Sequence, residues 1–228
     1  ESGRVSAAEG DETRLAGLYL ATDAIARGDY TQAAEWLDAE QLGPFNEFIA
    51  ELLSDWARAG NGDVSGALER ARNASVPGYA AAYLTLQRAL LADFAGETIA
   101  ADAAYQAAVI ESPFTRITIA LYGEFLLRQR RREDAIAIYD SYLRQQPLER
   151  SITEMRRIAS ETRRIPARPT ISEFAARALF GPSAALASQA DIDLSVVYLR
   201  MTQRLDDDYP PAIVLLAGAL ERTGMIDA

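Results

Sequence analysis

The chain has 228 residues, 49% of them hydrophobic, and a net charge of -10 from 33 acids against 23 basic residues, every one an arginine. It contains no histidine, cysteine or lysine, which excludes His/Cys-ligated zinc, Ser-His-Asp and Cys-His nucleophiles, a P-loop, a lysine Schiff base and thiol redox chemistry. Carboxylate, tyrosine, Ser/Thr and arginine chemistry remain. No uninterrupted apolar run is long enough to cross a membrane, and the acidic balance disfavours nucleic acid as a general partner.

The first residues, ESGRVSAAEGD, are small, polar and aperiodic, so 1–12 is expected to be a flexible tail. From Glu12 an apolar set at Leu15, Leu18, Ala21 and Ile25 recurs at helical spacing. Gly28 stops that helix, Tyr30 and Ala33 open the next, and Pro44 is expected to close it. A shift of 34 residues lands on Gly62, Val64 and Ala67, and a second on Gly96, Ala101, Tyr105, Ala108 and Pro113. A third lands on Ala135, Tyr139, Tyr142 and Pro147, with Arg130 in place of the turn glycine. The small residue therefore falls at Ala33, Ala67, Ala101 and Ala135. A small side chain lets two helices approach closely, and the aromatic a turn later fills the gap to the next pair. Proline lacks an amide hydrogen and stops a helix. A helix–turn–helix unit repeated every 34 residues cannot bury its apolar face alone, so neighbouring units must stack.

Gly28-Asp29-Tyr30 with Ala33, and Tyr122-Gly123 with Ala135, Tyr139 and Pro147, resemble the tetratricopeptide-repeat consensus. The resemblance covers about 14–149 well and the last third loosely. Gly17, Glu51 and Thr85 stand where that family usually has a large aromatic, and sliding two residues restores apolar positions at Leu15, Ile49 and Tyr83. The resemblance implies an all-α fold, a right-handed α-solenoid of helix–turn–helix repeats with four units over 13–149. After Pro147 the period breaks. An arginine- and proline-rich irregular helix and linker are expected at 150–170, with Ser151 as N-cap, Glu154 completing a capping box, and Pro166 and Pro169 forcing an extended connection. Over 171–228 a degenerate repeat is expected, with a kink or new turn at Gly181-Pro182, Ser195 in the small position and Leu199 in the large one. The first helix of a further repeat follows it. That last helix, with Ile213, Leu216 and Leu220 on one side, has no polar cap. With Glu1 rather than Met at the start, this gives the expectation of a piece cut from a longer repeat protein. The order of segments is similar to large bacterial tetratricopeptide proteins of the cell envelope, which gives periplasm or envelope as the expected location.

Charge is uneven: 7 arginines face 18 acids over 1–112, 12 face 7 over 113–170, and 4 face 8 over 171–228. The middle is a basic band. Its RQRRRED run, beginning at Arg128, could grip phosphate, an anionic polymer or an acidic peptide, since arginine forks suit planar anions. It also fits a solvated turn whose arginines pair with Glu133, Asp134 and the acidic flanks. The aromatics do not interleave with the band, so single-stranded nucleic-acid binding is not expected. Asp206 to Asp208, with Asp191 and Asp193, lack the glycine and ligand spacing of a calcium loop and suit a helix exit. No metal and no cofactor are expected. Asp93 and Glu97 could in principle form a glycosidase pair, yet acids on solvated helix faces are the default. Tyr105, Tyr139, Tyr142 and Tyr198 stand at packing positions.

The surface that such an array offers is the concave face lined by the first helix of each unit. The family resemblance gives Ile117, Ala120, Glu124, Leu127 and Arg128 as inward positions of the fourth unit, and Tyr83, Leu86 and Leu90 of the third. These residues either face a groove or pack between helices. A mixed apolar and charged groove suits an extended or helical peptide segment. The carboxylate clamp of chaperone-binding members needs lysine, so that subtype is excluded. The leading expectation is thus a non-enzymatic scaffold for a protein or peptide partner. Its alternatives are the superhelical arm of a larger envelope enzyme or assembly, and anionic-polymer binding through the band that runs from Arg128 to Arg168.

Overall fold

A computed structural model describes the backbone of residues 2–38, 44–76, 78, 80–111, 115–162, 164–188 and 192–224. Among them the chain forms twelve α-helices: α1 (Ser2–Arg27), α2 (Tyr30–Asp38), α3 (Pro44–Gly60), α4 (Val64–Asn73), α5 (Ala80–Ala95), α6 (Thr98–Glu111), α7 (Thr115–Arg128), α8 (Arg132–Leu143), α9 (Arg150–Glu161), α10 (Ile171–Ser188), α11 (Ile192–Leu205) and α12 (Pro210–Thr223). The fold is all-α, and most helices pack on their neighbour in sequence, as in a helical repeat array.

The 34-residue period is present in the backbone itself. Gly28, Gly62, Gly96 and Arg130 all take the left-handed conformation, with φ of 77, 94, 77 and 62°. Each ends a helix with the same pair of bonds, its own N–H donating three residues back and the next N–H five residues back. Those pairs are Gly28 to Ile25 and Asp29 to Ala24, Gly62 to Ala59 and Asp63 to Arg58, Gly96 to Asp93 and Glu97 to Ala92, Arg130 to Leu127 and Arg131 to Leu126. Second helices then start at Tyr30, Val64, Thr98 and Arg132, each 34 after the last. Ala33, Ala67, Ala101 and Ala135 are all 0% exposed, as the need for close helix approach requires. Only the fourth turn uses a residue with a Cβ in a conformation that favours glycine.

By contact, the chain forms two compact units, Ser75–Pro169 and the combination of Glu1–Ala74 with Thr170–Ala228. In the first of these, α5 packs on α6, α6 on α7, α7 on α8 and α8 on α9, and α7 also touches α9. Tyr105, Tyr139, Phe125, Leu90 and Leu91 are buried to 1% exposure or less.

The discontinuous unit departs from the expected open array. In a solenoid each repeat contacts only its sequence neighbours. Here α10 packs on α3 and α11 packs on α1, so the segment 171–228 returns to the N-terminal hairpins. The reason lies in α10, which is apolar or small on every side: its residues from Phe174 to Ala187 are buried except Arg177, which is half-buried. A helix without a polar face has to be surrounded. Phe174 stacks on Trp56 of α3 with centroids 5.5 Å apart and planes 8° from parallel. The Tyr198 hydroxyl of α11 donates to Asn46 Oδ1 of α3, and Arg204 Nε pairs with Asp23 Oδ1 of α1 at 2.8 Å.

Several local expectations also shift. The stretch 1–12, expected as a flexible tail, is helical from Ser2 as the start of α1; alanine and glutamate, prominent there, favour helix. Pro44 opens α3 rather than closing α2, since proline suits the first turn of a helix. α9 is capped by Glu149, whose carboxylate accepts from the Ser151 N–H at 3.2 Å, while Glu154 pairs with Arg157. α10 runs on through Pro182 as one helix. Tyr142 is half-buried, unlike Tyr105, Tyr139 and Tyr198. Pro113 and Asp191 lie outside the described residues.

Candidate functional site

The expected partner-facing residues sit on α5 and α7, within Ser75–Pro169. On α5, Tyr83 and Leu86 are buried at 6% exposure and Leu90 at 0%; on α7, Ile117 is buried at 6%. These four fill space between helices. Their positions were periodic in sequence because packing is periodic too. Ala120, Glu124, Leu127 and Arg128, all on α7, keep partial exposure. They form the accessible part of the expected face: two apolar residues, one acid and one base.

Arg128 anchors a buried polar cluster. Its side chain is only 9% exposed, and its Nη2 meets Asp93 Oδ2 of α5 at 2.5 Å. The Tyr105 hydroxyl of α6 donates to the same Asp93 oxygen at 3.2 Å. Glu124, one turn back on α7, lies 4.0 Å from Arg128 Nη1. Burial pushes the Asp93 carboxyl above its ordinary value even against the pull of Arg128. Burial and the adjacent Asp93 push the Tyr105 phenol well up, so it stays a neutral donor. The arginine is incompletely satisfied: its Nε and Nη1 make no hydrogen bond, and neither do the buried hydroxyls of Tyr139 and Thr118. Such a cluster is costly to disturb from one side, because a buried charge would lose its hydrogen-bonded counter-charge.

Beside it, Tyr105 stacks on Tyr122 (5.5 Å, 12°) and tilts against Phe125 (5.2 Å). The Tyr122 hydroxyl donates to Asp102 Oδ1 at 2.7 Å, and Arg131 Nη1 pairs with that oxygen at 3.0 Å. Burial and the Asp102 bond raise the Tyr122 phenol to about 12. The structure thus brings together the end of α5, the face of α6 and the end of α7. Sequence reasoning found Arg128 and missed Asp93 and Tyr105 as its partners. The signal was available: Asp93 and Arg128 both stand in the last turn of a first helix, so the repeat register alone sets them beside each other.

The basic band is partly paired within the chain. Arg116 pairs with Glu149, Arg131 with Asp102 and Asp134, Arg156 with Asp140, and Arg157 with Glu154 and Glu161. Arg132 donates to the Thr162 carbonyl, and Arg168 to the Phe94 carbonyl while lying 5.8 Å over the Phe94 ring. Of the suggested carboxylate pair, Asp93 is buried in its ion pair and Glu97 is exposed. In the aspartate run, burial raises the Asp206 carboxyl although Arg177 pulls the other way. Among the described residues no group of three or more acids is placed to hold a metal ion, and no helix is long and apolar enough to cross a membrane. No protein-family model matches the chain, and no curated protein does.

Proposed function

We propose that the chain is a non-enzymatic interaction scaffold of the tetratricopeptide type that holds a protein or peptide segment on the first-helix face of Ser75–Pro169. The observation that supports this most is the four-fold recurrence of one turn geometry at 34-residue intervals. A chain that repeats a hairpin presents successive first helices side by side, and that surface is what such arrays offer a partner. Residue chemistry agrees: without histidine, lysine or cysteine, the one deeply buried carboxylate of the site, Asp93, is committed to Arg128 and Tyr105. The contact patch is centred on Ala120, Glu124, Leu127 and Arg128. The partner's side of it is an extended or helical segment with an apolar residue for Leu127 and a cationic one for Glu124.

The test is selection of displayed peptides on the immobilised full chain, followed by mapping of the best binder through hydrogen exchange. Protection of α7 and α5, lost in Leu127→Asp and Glu124→Arg, is the expected result. Failure to enrich any peptide, or protection confined to the outer helices α6 and α8, would overturn the reading.

A further inference from the structure

The chain has 23 arginines and no lysine, so a trypsin-like protease can cut it only after arginine. Most described arginines stand inside helices, where the backbone cannot be drawn out into the extended form that a protease cleft needs. Outside the helices the described ones are Arg130, Arg131, Arg144, Arg164 and Arg168. Arg130 and Arg131 are tied into the tight turn after α7 by their N–H bonds to Leu127 and Leu126. Arg144 closes α8, its N–H bonded to Asp140. Arg168 is followed by proline, whose ring obstructs the leaving nitrogen, and its guanidinium is engaged with Phe94.

Arg164 differs from all of these. It is exposed, as is Ile165 at 46%. The segment 164–169 has no regular structure, and among the described residues none of its backbone N–H groups donates a backbone hydrogen bond. Among the described residues the segment is fastened at its ends, by Arg132 to Thr162 and by Arg168 to Phe94 and the buried Pro169. We propose that Arg164–Ile165 is a processing site for an arginine-specific endoprotease, and that the two pieces stay together after the cut. In the reaction, water adds across the peptide bond. Its hydroxyl goes to the Arg164 carbonyl carbon, leaving a carboxylate once the acid proton is lost. Its hydrogen and that proton go to the Ile165 nitrogen, which leaves as an ammonium group.

Retention follows from the discontinuous unit. The fragment 165–228 carries α10–α12, and α10 is buried against α3 and α11. The Trp56–Phe174 stack, the Tyr198–Asn46 bond and the Arg204–Asp23 pair all join residues on opposite sides of the cut. Breaking one exposed peptide bond removes none of them.

The experiment is brief digestion of the full native chain with trypsin, read by intact mass, N-terminal sequencing and gel filtration. The first cut is expected to create a new N-terminus at Ile165, with both pieces co-eluting where the uncut chain elutes and separating in denaturant. Arg164→Gln, a change at an exposed side chain, is expected to abolish the 165–228 fragment at times when the wild type is fully nicked. A first cut at any other arginine, unchanged nicking of the variant, or separate elution of the pieces would each overturn the proposal.

Discussion

Gly123 lies on α7 where the ring of Tyr139 from α8 crosses it. A methyl group added there would stand 2.1 Å from the Tyr139 hydroxyl oxygen and 2.3 Å from Cζ, whereas ordinary contact begins at 3.4 Å. The phenol must therefore retreat by about an ångström, and Tyr139 is 0% exposed. Overpacking of that kind costs about 1–3 kcal/mol, while alanine regains about 0.5–1 kcal/mol over glycine within a helix. Gly123→Ala is thus expected to lose about 1–2 kcal/mol. Two further variants isolate the cause. Tyr139→Phe removes a buried hydroxyl that has no hydrogen-bond partner, so alone it should be neutral or stabilising by up to about 1 kcal/mol. It should not rescue Gly123→Ala, because Cζ remains. Tyr139→Leu clears the space, and its coupling with Gly123→Ala should exceed about 1 kcal/mol. The assay is urea unfolding followed by far-UV circular dichroism, with native hydrogen exchange of α7 and α8. Tryptophan fluorescence is uninformative here, since Trp36 and Trp56 both belong to the discontinuous unit. If Gly123→Ala is as stable as the wild type, or if Phe rescues as well as Leu, the steric reasoning fails.

Arg128→Met strands the buried Asp93 carboxylate, and a loss of about 3–5 kcal/mol is expected, most of it recovered by adding Asp93→Asn; urea midpoints decide this. The Asp93 carboxyl binds its proton more tightly folded than unfolded. Its contribution to stability therefore falls as pH rises from the ordinary value of 3.8 through the raised one. Wild type should show that decline relative to Asp93→Asn, and parallel pH profiles of the two midpoints would contradict it. Arg130→Gly removes a left-handed non-glycine conformation that costs about 1–2 kcal/mol. After the extra freedom of unfolded glycine, a net gain of up to about 1 kcal/mol should appear in thermal unfolding. Phe174→Ala opens the stack on Trp56 and is expected to cost about 3–5 kcal/mol, visible as an earlier loss of tryptophan fluorescence in urea.

The turns were legible in sequence because their chemistry is local. A glycine at 28, 62 and 96 announces a left-handed helix end, and Ala33, Ala67, Ala101 and Ala135 announce close helix approach. Even the exception, Arg130, was visible from the period alone. Of the residues expected to face a partner, Ala120, Glu124, Leu127 and Arg128 keep exposure, while Tyr83, Leu86, Leu90 and Ile117 are packed away. Periodicity cannot separate a groove from an interior, since both recur at helical spacing. The return of α10 and α11 onto α3 and α1 was not legible, because 171–228 carries the pattern of 13–149 only in degenerate form, at Ser195 and Leu199. One clue did exist. With α10 apolar on every side, no two-sided stack could cover it.

The discontinuity of the Glu1–Ala74 and Thr170–Ala228 unit also sets a timetable for synthesis. On the ribosome α1 to α4 emerge first, but the helices that cover Trp56 and its neighbours are encoded after Ser75–Pro169. At about 5–20 residues per second, that intervening stretch of roughly a hundred residues delays their arrival by some 5–20 s. For that interval the nascent chain displays the apolar side of α3 to solvent or to a holding chaperone. The chaperone demand of this chain should therefore peak while Ser75–Pro169 is being translated, and ease once α10 has left the exit tunnel.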